Sequence, residues 1–228
     1  MKLLCVDTAT RTESIALVEG DTVLVERAIY RAKGHGRGIL DDIDGLLTDA
    51  GWTLADVDGF VCGLGPGSFT GLRIALATLK GLALATGRPI YGETTTRLLC
   101  AAVQGSRAVA VIDARRDQVY VQGPSFTKPV CCDPESVAAR LPPGPPPVLV
   151  GDGALKHQDV LRATIPGASI PDSASLHLPR AALLATLIDR THPAPLATLE
   201  PVYVRLSDAE INYPRGFPDV AHRYPEAP

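Results

Sequence analysis

Apolar and polar positions alternate in short runs at the start of the chain: KLLCVDT, SIALVEGD and TVLVERAIY, the last two meeting at Gly20 and Asp21. Alternation with a Gly-Asp turn predicts an antiparallel meander. From Ile39 the period changes. Ile39, Leu40, Ile43, Leu46 and Leu47 make one helical stripe opposite Asp41, Asp42, Asp44 and Asp49, and Gly51 supplies a stop. Next come GFVCGLG, read as a short buried strand, the loop GPGSFTGLR at 65–73, a helix over about 68–86, and the strand RPIYGE. Strand, loop, helix, strand is a βαβ unit, which makes its two strands parallel.

The stretch AVAVIDARRDQVYVQ at 108–122 echoes the first meander. Each has an apolar strand, an aspartate (Asp7, Asp113), a polar turn and a second strand, so two similar halves are expected. PPGPPP at 142–147 reads as a stiff loop, VLVGDGALKH as a strand and a Gly-Asp-Gly turn, RAALLATLID as a short helix, and EPVYVRL as a last strand.

The helix after GPGSFTGLR is apolar on every side, with only Arg73 and Lys80 charged between Phe69 and Ala85. Such a helix needs cover on more than one side. The helix at 39–50 or a partner subunit would provide it.

Composition then narrows the chemistry. The chain has 228 residues, 46% hydrophobic and 21% charged, enough for one large or two small cores, and its formal charge of -3 gives no general attraction for polyanions. The start, MKLLCVDTAT, lacks a signal core and no run reaches the 18 apolar residues of a membrane span, which leads us to expect a cytoplasmic protein without membrane contact. Cys5, Cys62, Cys100, Cys131 and Cys132 contain no CxxC pair and are expected to be reduced thiols.

Catalytic signatures are sparse. GPGSFTGLR lacks the lysine of a phosphate-binding P-loop, and Gly65, Gly67 and Gly71 are spaced one residue too widely for a dinucleotide fingerprint. Two readings stay open for the loop: an anion held at the helix N-terminus near Ser68, or Ser68 as a simple N-cap. His35, His157, His177, His192 and His222 show no HxxxH or HExxH spacing, so no metal ligands and no catalytic residues are assigned. Asp7 and Asp113 are either metal-binding carboxylates or turn carboxylates that hold backbone N–H groups.

LLCVDTATRTESIAL, VCGLGPGSFTGLRIALATLKGLALATGRPIYGETT, VIDARRDQVY, VGDGA and EPVYVR, in that order over residues 1–206, resemble the bacterial TsaB (YeaZ) family. The resemblance implies an α/β, actin-like/Hsp70-type ATPase (ASKHA, ribonuclease H-like) fold of two duplicated lobes: 1–105 with partner-binding helices, 106–210, and an extended or disordered tail at 211–228. It further implies a noncatalytic subunit that pairs with a TsaD-type transferase, beside a TsaE-type ATPase, to make threonylcarbamoyladenosine in tRNA. ATP and metal are then expected on those partners, tRNA is met through the complex, and the chain alone is a homodimer. Thr95 and Leu99 stand where the catalytic paralogue carries a metal-binding histidine pair. Asp7, Ser68, Asp113, Gly151, Asp152 and Gly153 mark a vestigial nucleotide or anion site. The implied partner surface comprises Ile39, Leu40, Ile43, Leu47, Phe69, Leu72, Arg73 and Leu76, with His35 at its rim. A stand-alone nucleotide-dependent phosphotransferase using Asp7 and Asp113, or a metalloprotease of this fold, is the alternative.

Overall fold

β1 (Lys2–Asp7), β2 (Thr12–Glu19) and β3 (Thr22–Tyr30) form the expected meander, each strand antiparallel to the one before it. The β2–β3 turn carries Gly20 at φ 60°, a left-handed position that any side chain would strain. The structure, a computed structural model, describes residues 1–31, 38–103, 107–124 and 126–205. His35, His222 and the 211–228 tail lie outside the described residues.

The stripe read from Ile39 becomes α1 (Ile39–Asp49), with Ile39, Ile43, Leu46 and Leu47 buried. β4 (Gly59–Gly63) lies parallel beside β1, and α2 (Phe69–Thr86) crosses over to β5 (Ile90–Glu93), parallel beside β4. The sheet order is β3-β2-β1-β4-β5. β4 is buried along its whole length because both sheet faces are covered. On one face, α1 and α2 close over Leu4, Val6, Ile15, Leu17, Phe60 and Cys62.

α3 (Thr95–Ala101) joins the two halves. Its Leu98 packs against the other face of the first sheet, with Leu3, Cys5 and Val61, while its neighbour Leu99 packs on the second sheet with Ala110, Ile112 and Tyr120. That second sheet is built from β6 (Ala108–Arg115), β7 (Gln118–Gln122), β8 (Val130–Cys132) and β9 (Val148–Val150), in the order β8-β7-β6-β9. Two antiparallel pairings followed by a parallel one repeat β3-β2-β1-β4 position for position. The internal echo in the sequence is therefore a repeated topology. α4 (Val137–Arg140), α5 (Asp152–Lys156) and α6 (Gln158–Thr164) accompany this sheet.

Three expectations need correction. The Gly-Asp-Gly segment opens α5 and is not a free turn. Residues 180–189 form a single 3-10 turn at Ala181–Leu183 followed by the one-turn helix α7 (Leu184–Leu187), not one continuous helix. No strand forms over 200–205: the alternating valines are pulled apart, Val202 onto the first-sheet core and Val204 onto the second-sheet cluster of Leu99, Ala110 and Ile112.

The last described stretch also leaves the second lobe before 210. Ala181, Ala182, Leu184 and Ala185 pack beneath the first sheet. Arg180 pairs with Glu26 at 3.0 Å, and the Ala181 and Ala182 N–H groups donate to Ser14 Oγ and Glu26 Oε1. Ala194 bridges the edge strand at Ile90, and Leu196, Leu199 and Val202 then join the opposite face. The segment is a strap wound around the first lobe, because the exposed edge of β5 and both faces beside it offer apolar cover.

Candidate functional site

β1 ends at Asp7, whose side chain has no exposed surface. Its Oδ1 accepts the Ala9 N–H at 2.9 Å, and its Oδ2 accepts the Thr95 hydroxyl at 2.6 Å. The same Thr95 oxygen accepts the Gly65 N–H at 3.1 Å. Gly63 closes the pocket from β4: a Cβ there would stand 2.0 Å from Asp7 Oδ2. The GPGS loop lies on the turn after β1, where Ser68 N–H donates to Ala9 O at 2.6 Å and a Cβ on Gly67 would meet that oxygen at 2.1 Å. Ser68 Oγ accepts the Gly71 N–H at 3.2 Å, which is the N-cap arrangement.

A phosphate or hydrated metal at Asp7 would need open lone pairs and space. The residues present do not fit either group: the carboxylate is enclosed by Gly63, Thr95 and its own turn.

The second lobe repeats the motif in looser form. Asp113 Oδ1 accepts the Arg115 N–H at 3.0 Å and pairs with Lys156 at 2.9 Å. Asp152 Oδ1 accepts the Asp113 N–H at 3.0 Å. Burial pushes the Asp152 carboxyl above the usual range, with the neighbouring Asp113 charge adding to the shift and the Asp113 N–H opposing it. Gly151, at φ 111°, and Gly153 let this turn lie on β6, since Cβ atoms there would stand 2.4 Å from Val111 O and 2.7 Å from Ile112 C. Behind it His177 is buried; its Nε2–H donates to Pro171 O at 2.7 Å, which leaves Nδ1 to accept the Gly151 N–H at 3.2 Å. The structure thus gathers Asp113, Gly151, Asp152 and Gly153 in one place, and Asp7 and Ser68 around Ala9 in another. Thr95 and His177 complete these two sets. The sequence singled out neither for that role, because their partners are 88 and 26 residues away.

Cys5 and Cys62 are buried, and burial pushes both thiols up; Cys100 rises to about 11 for the same reason. Among the described residues no three His, Cys, Asp or Glu side chains form a metal-sized cluster.

The expected partner surface divides. Ile39, Ile43, Leu47, Leu72 and Leu76 are buried within the chain, where they cover the first sheet. They supply core and not contact surface, a correction that follows from the sheet's own need for cover. Leu40 is 56% exposed, Phe69 36% and Leu84 75%. Arg73, Ala77 and Gly81 are exposed on the same helix. α2 is long and apolar enough by length and composition to cross a membrane, yet Leu72, Ala75, Leu79 and Ala83 seat it on the sheet as the core helix of a globular lobe.

At the N-terminal end of α2, the Arg73 guanidinium lies 3.9 Å above the Phe69 ring, and its Nε donates to the Tyr203 hydroxyl at 3.0 Å. The Phe69 and Tyr203 ring centres are 5.1 Å apart. Tyr203 arrives on the strap, whose Val202 N–H donates to Leu64 O at 2.8 Å.

Two lobes of repeated sheet order joined through a central helix define an actin-like, ribonuclease H-like α/β protein, here with a sealed first-lobe turn and an outward apolar helix face. Comparison with known proteins agrees. Residues 29–128 match the family described as TsaD: tRNA N6-adenosine threonylcarbamoyltransferase. The chain is 30% identical over 224 residues to the tRNA threonylcarbamoyladenosine biosynthesis protein TsaB of Bacillus subtilis, covering 93% of this chain and 98% of that one. It is 37% identical over 127 residues to the TsaB of Escherichia coli, 53% of each chain. The solved structure of YeaZ from Pseudomonas aeruginosa superposes with a TM-score of 0.72 at 28% identity, over 89% of this chain and 99% of that one. This chain belongs to the TsaB (YeaZ) family.

Proposed function

We propose that the chain is a noncatalytic subunit of the machinery that makes threonylcarbamoyladenosine in tRNA. In this reading it pairs with and supports a TsaD-type transferase, acts beside a TsaE-type ATPase in the cytoplasm, and forms a homodimer when alone. ATP and metal belong to those partners, and tRNA is met through the complex.

The observation that carries the reading is the contrast between the two candidate surfaces. The Asp7 carboxylate is spent inside the fold on Thr95 and Ala9, whereas α1 and α2 present Leu40, Phe69, Arg73 and Leu84 outward. Exposed large apolar side chains gathered on one face favour a protein contact. The names carried by the relatives supply the pathway.

Reconstitution of tRNA modification from the transferase, the ATPase and this chain tests the proposal. Omitting the chain should abolish or sharply reduce modification, and the chain alone should transfer nothing. Undiminished modification without it, or tight Mg-ATP binding by the isolated chain in calorimetry, would overturn the reading.

A further inference from the structure

We infer that the Phe69–Arg73–Tyr203 cluster is a carboxylate-binding contact, and that it takes the acidic face of α1, Asp41 and Asp44, from a second copy of this chain. The inference rests on the proposed use of α1 and α2 as a pairing surface and adds the polar contact that would set its register.

Arg73 is held on three sides. Its guanidinium carbon lies 3.9 Å from the centre of the Phe69 ring and 5.8 Å from that of Tyr203, and Nε is fixed by the Tyr203 hydroxyl at 3.0 Å. Among the described residues, neither Nη group makes a hydrogen bond. An arginine fork with its stem and Nε fixed and its two Nη groups open is shaped for a bidentate carboxylate. Because the side chain is already ordered, little rotamer freedom is lost when the partner arrives.

The chain itself offers the complement. Asp41 and Asp44 are exposed beside Leu40, on a helix that covers the same sheet face as α2, and neither makes an ion pair among the described residues. A two-fold dimer needs a surface that is complementary to itself. One acidic helix and one helix bearing an ordered arginine, both on the same sheet face, meet that need: each copy gives an arginine to the other's α1 and receives one in return. Arginine and tyrosine packed against an aromatic ring are the residue types that dominate contact energies at interfaces.

Sedimentation equilibrium of the full chain tests this, with circular dichroism to verify that each variant is folded. R73E and the double variant D41R/D44R should each raise the dimer dissociation constant at least tenfold. An equimolar mixture of the two should recover dimer, because both contacts in the mixed pair are again of opposite charge. Y203F keeps the ring and removes the acceptor for Nε; it should weaken the dimer severalfold. Undiminished dimerisation of R73E, or a mixture that stays monomeric, would overturn the inference. L40E and L84E separate the two levels: if these break the dimer and R73E does not, the pairing face stands and the carboxylate contact falls. If none of the variants changes the dimer, or the parent chain is monomeric, both fall.

Discussion

Thr95 donates its hydroxyl to the buried carboxylate of Asp7 at 2.6 Å while accepting the Gly65 N–H at 3.1 Å. One side chain from the start of α3 therefore ties the end of β1 to the loop that launches α2. The acidic turn after β1 is thereby a structural joint, with its carboxylate turned inward.

Removing that joint has a definite cost. Thr95→Val leaves a buried carboxylate oxygen and the Gly65 N–H without their shared partner, and should destabilise the chain by about 1.5–3 kcal/mol. Urea denaturation measures it; Thr95→Ser should retain most of the stability.

Two glycines should respond in opposite directions. Gly67→Ala forces a Cβ against Ala9 O and should cost about 1–3 kcal/mol, as overpacking does. Gly81 has open space around its Cβ position and sits in the interior of α2, so Gly81→Ala should stabilise by about 0.5–1 kcal/mol. Thermal unfolding of both variants provides the comparison.

Leu40 and Leu72 were expected to share a surface, but a charge at each should act differently. Leu72 is 1% exposed within the sheet-covering core, so Leu72→Glu buries an unpaired charge, costing about 3–5 kcal/mol or more, and should unfold the first lobe. Leu40→Glu should leave the far-ultraviolet circular dichroism and melting temperature near those of the parent while changing association.

Asp152 gives a pH-dependent test. Its carboxyl is held above the usual range by burial, so between its unfolded and folded pKa values the folded chain binds the extra proton. Stability is therefore lost as pH rises through that window. Asp152→Asn keeps a side-chain oxygen to accept the Asp113 N–H and cannot ionise. It should be more stable than the parent at neutral pH, with the advantage shrinking as pH falls through the carboxylate range, measured by denaturant titrations across pH 3–7. An equal advantage at every pH would contradict the assignment.

Much of the local structure was legible. The alternation up to Tyr30 read as a meander, the stripe from Ile39 as a helix, and the strand-loop-helix-strand unit as parallel strands, since side-chain period and glycine placement act over a few residues. The echo of Asp7 in Asp113 pointed to the repeated sheet order. The valines of EPVYVRL, by contrast, alternate like a strand, but ladder pairing needs an available edge, and the strap spends its apolar side chains on two separate cores.

The sequence by itself determined the opening meander, the helices from Ile39 and after Ser68, the parallel strand pair, the internal repeat, the missing P-loop lysine and the family; each rests on residues close together in the chain or on ordered motifs. Tertiary structure alone decided which side of α2 turns outward. A helix apolar all round has no phase of its own, and the first sheet claimed Leu72, Ala75, Leu76 and Leu79, leaving Phe69, Arg73 and Leu84 exposed. It also decided that Thr95 meets Asp7 and that Tyr203 meets Arg73, 130 residues apart, because contacts at such separation depend on how whole lobes and a returning strap pack.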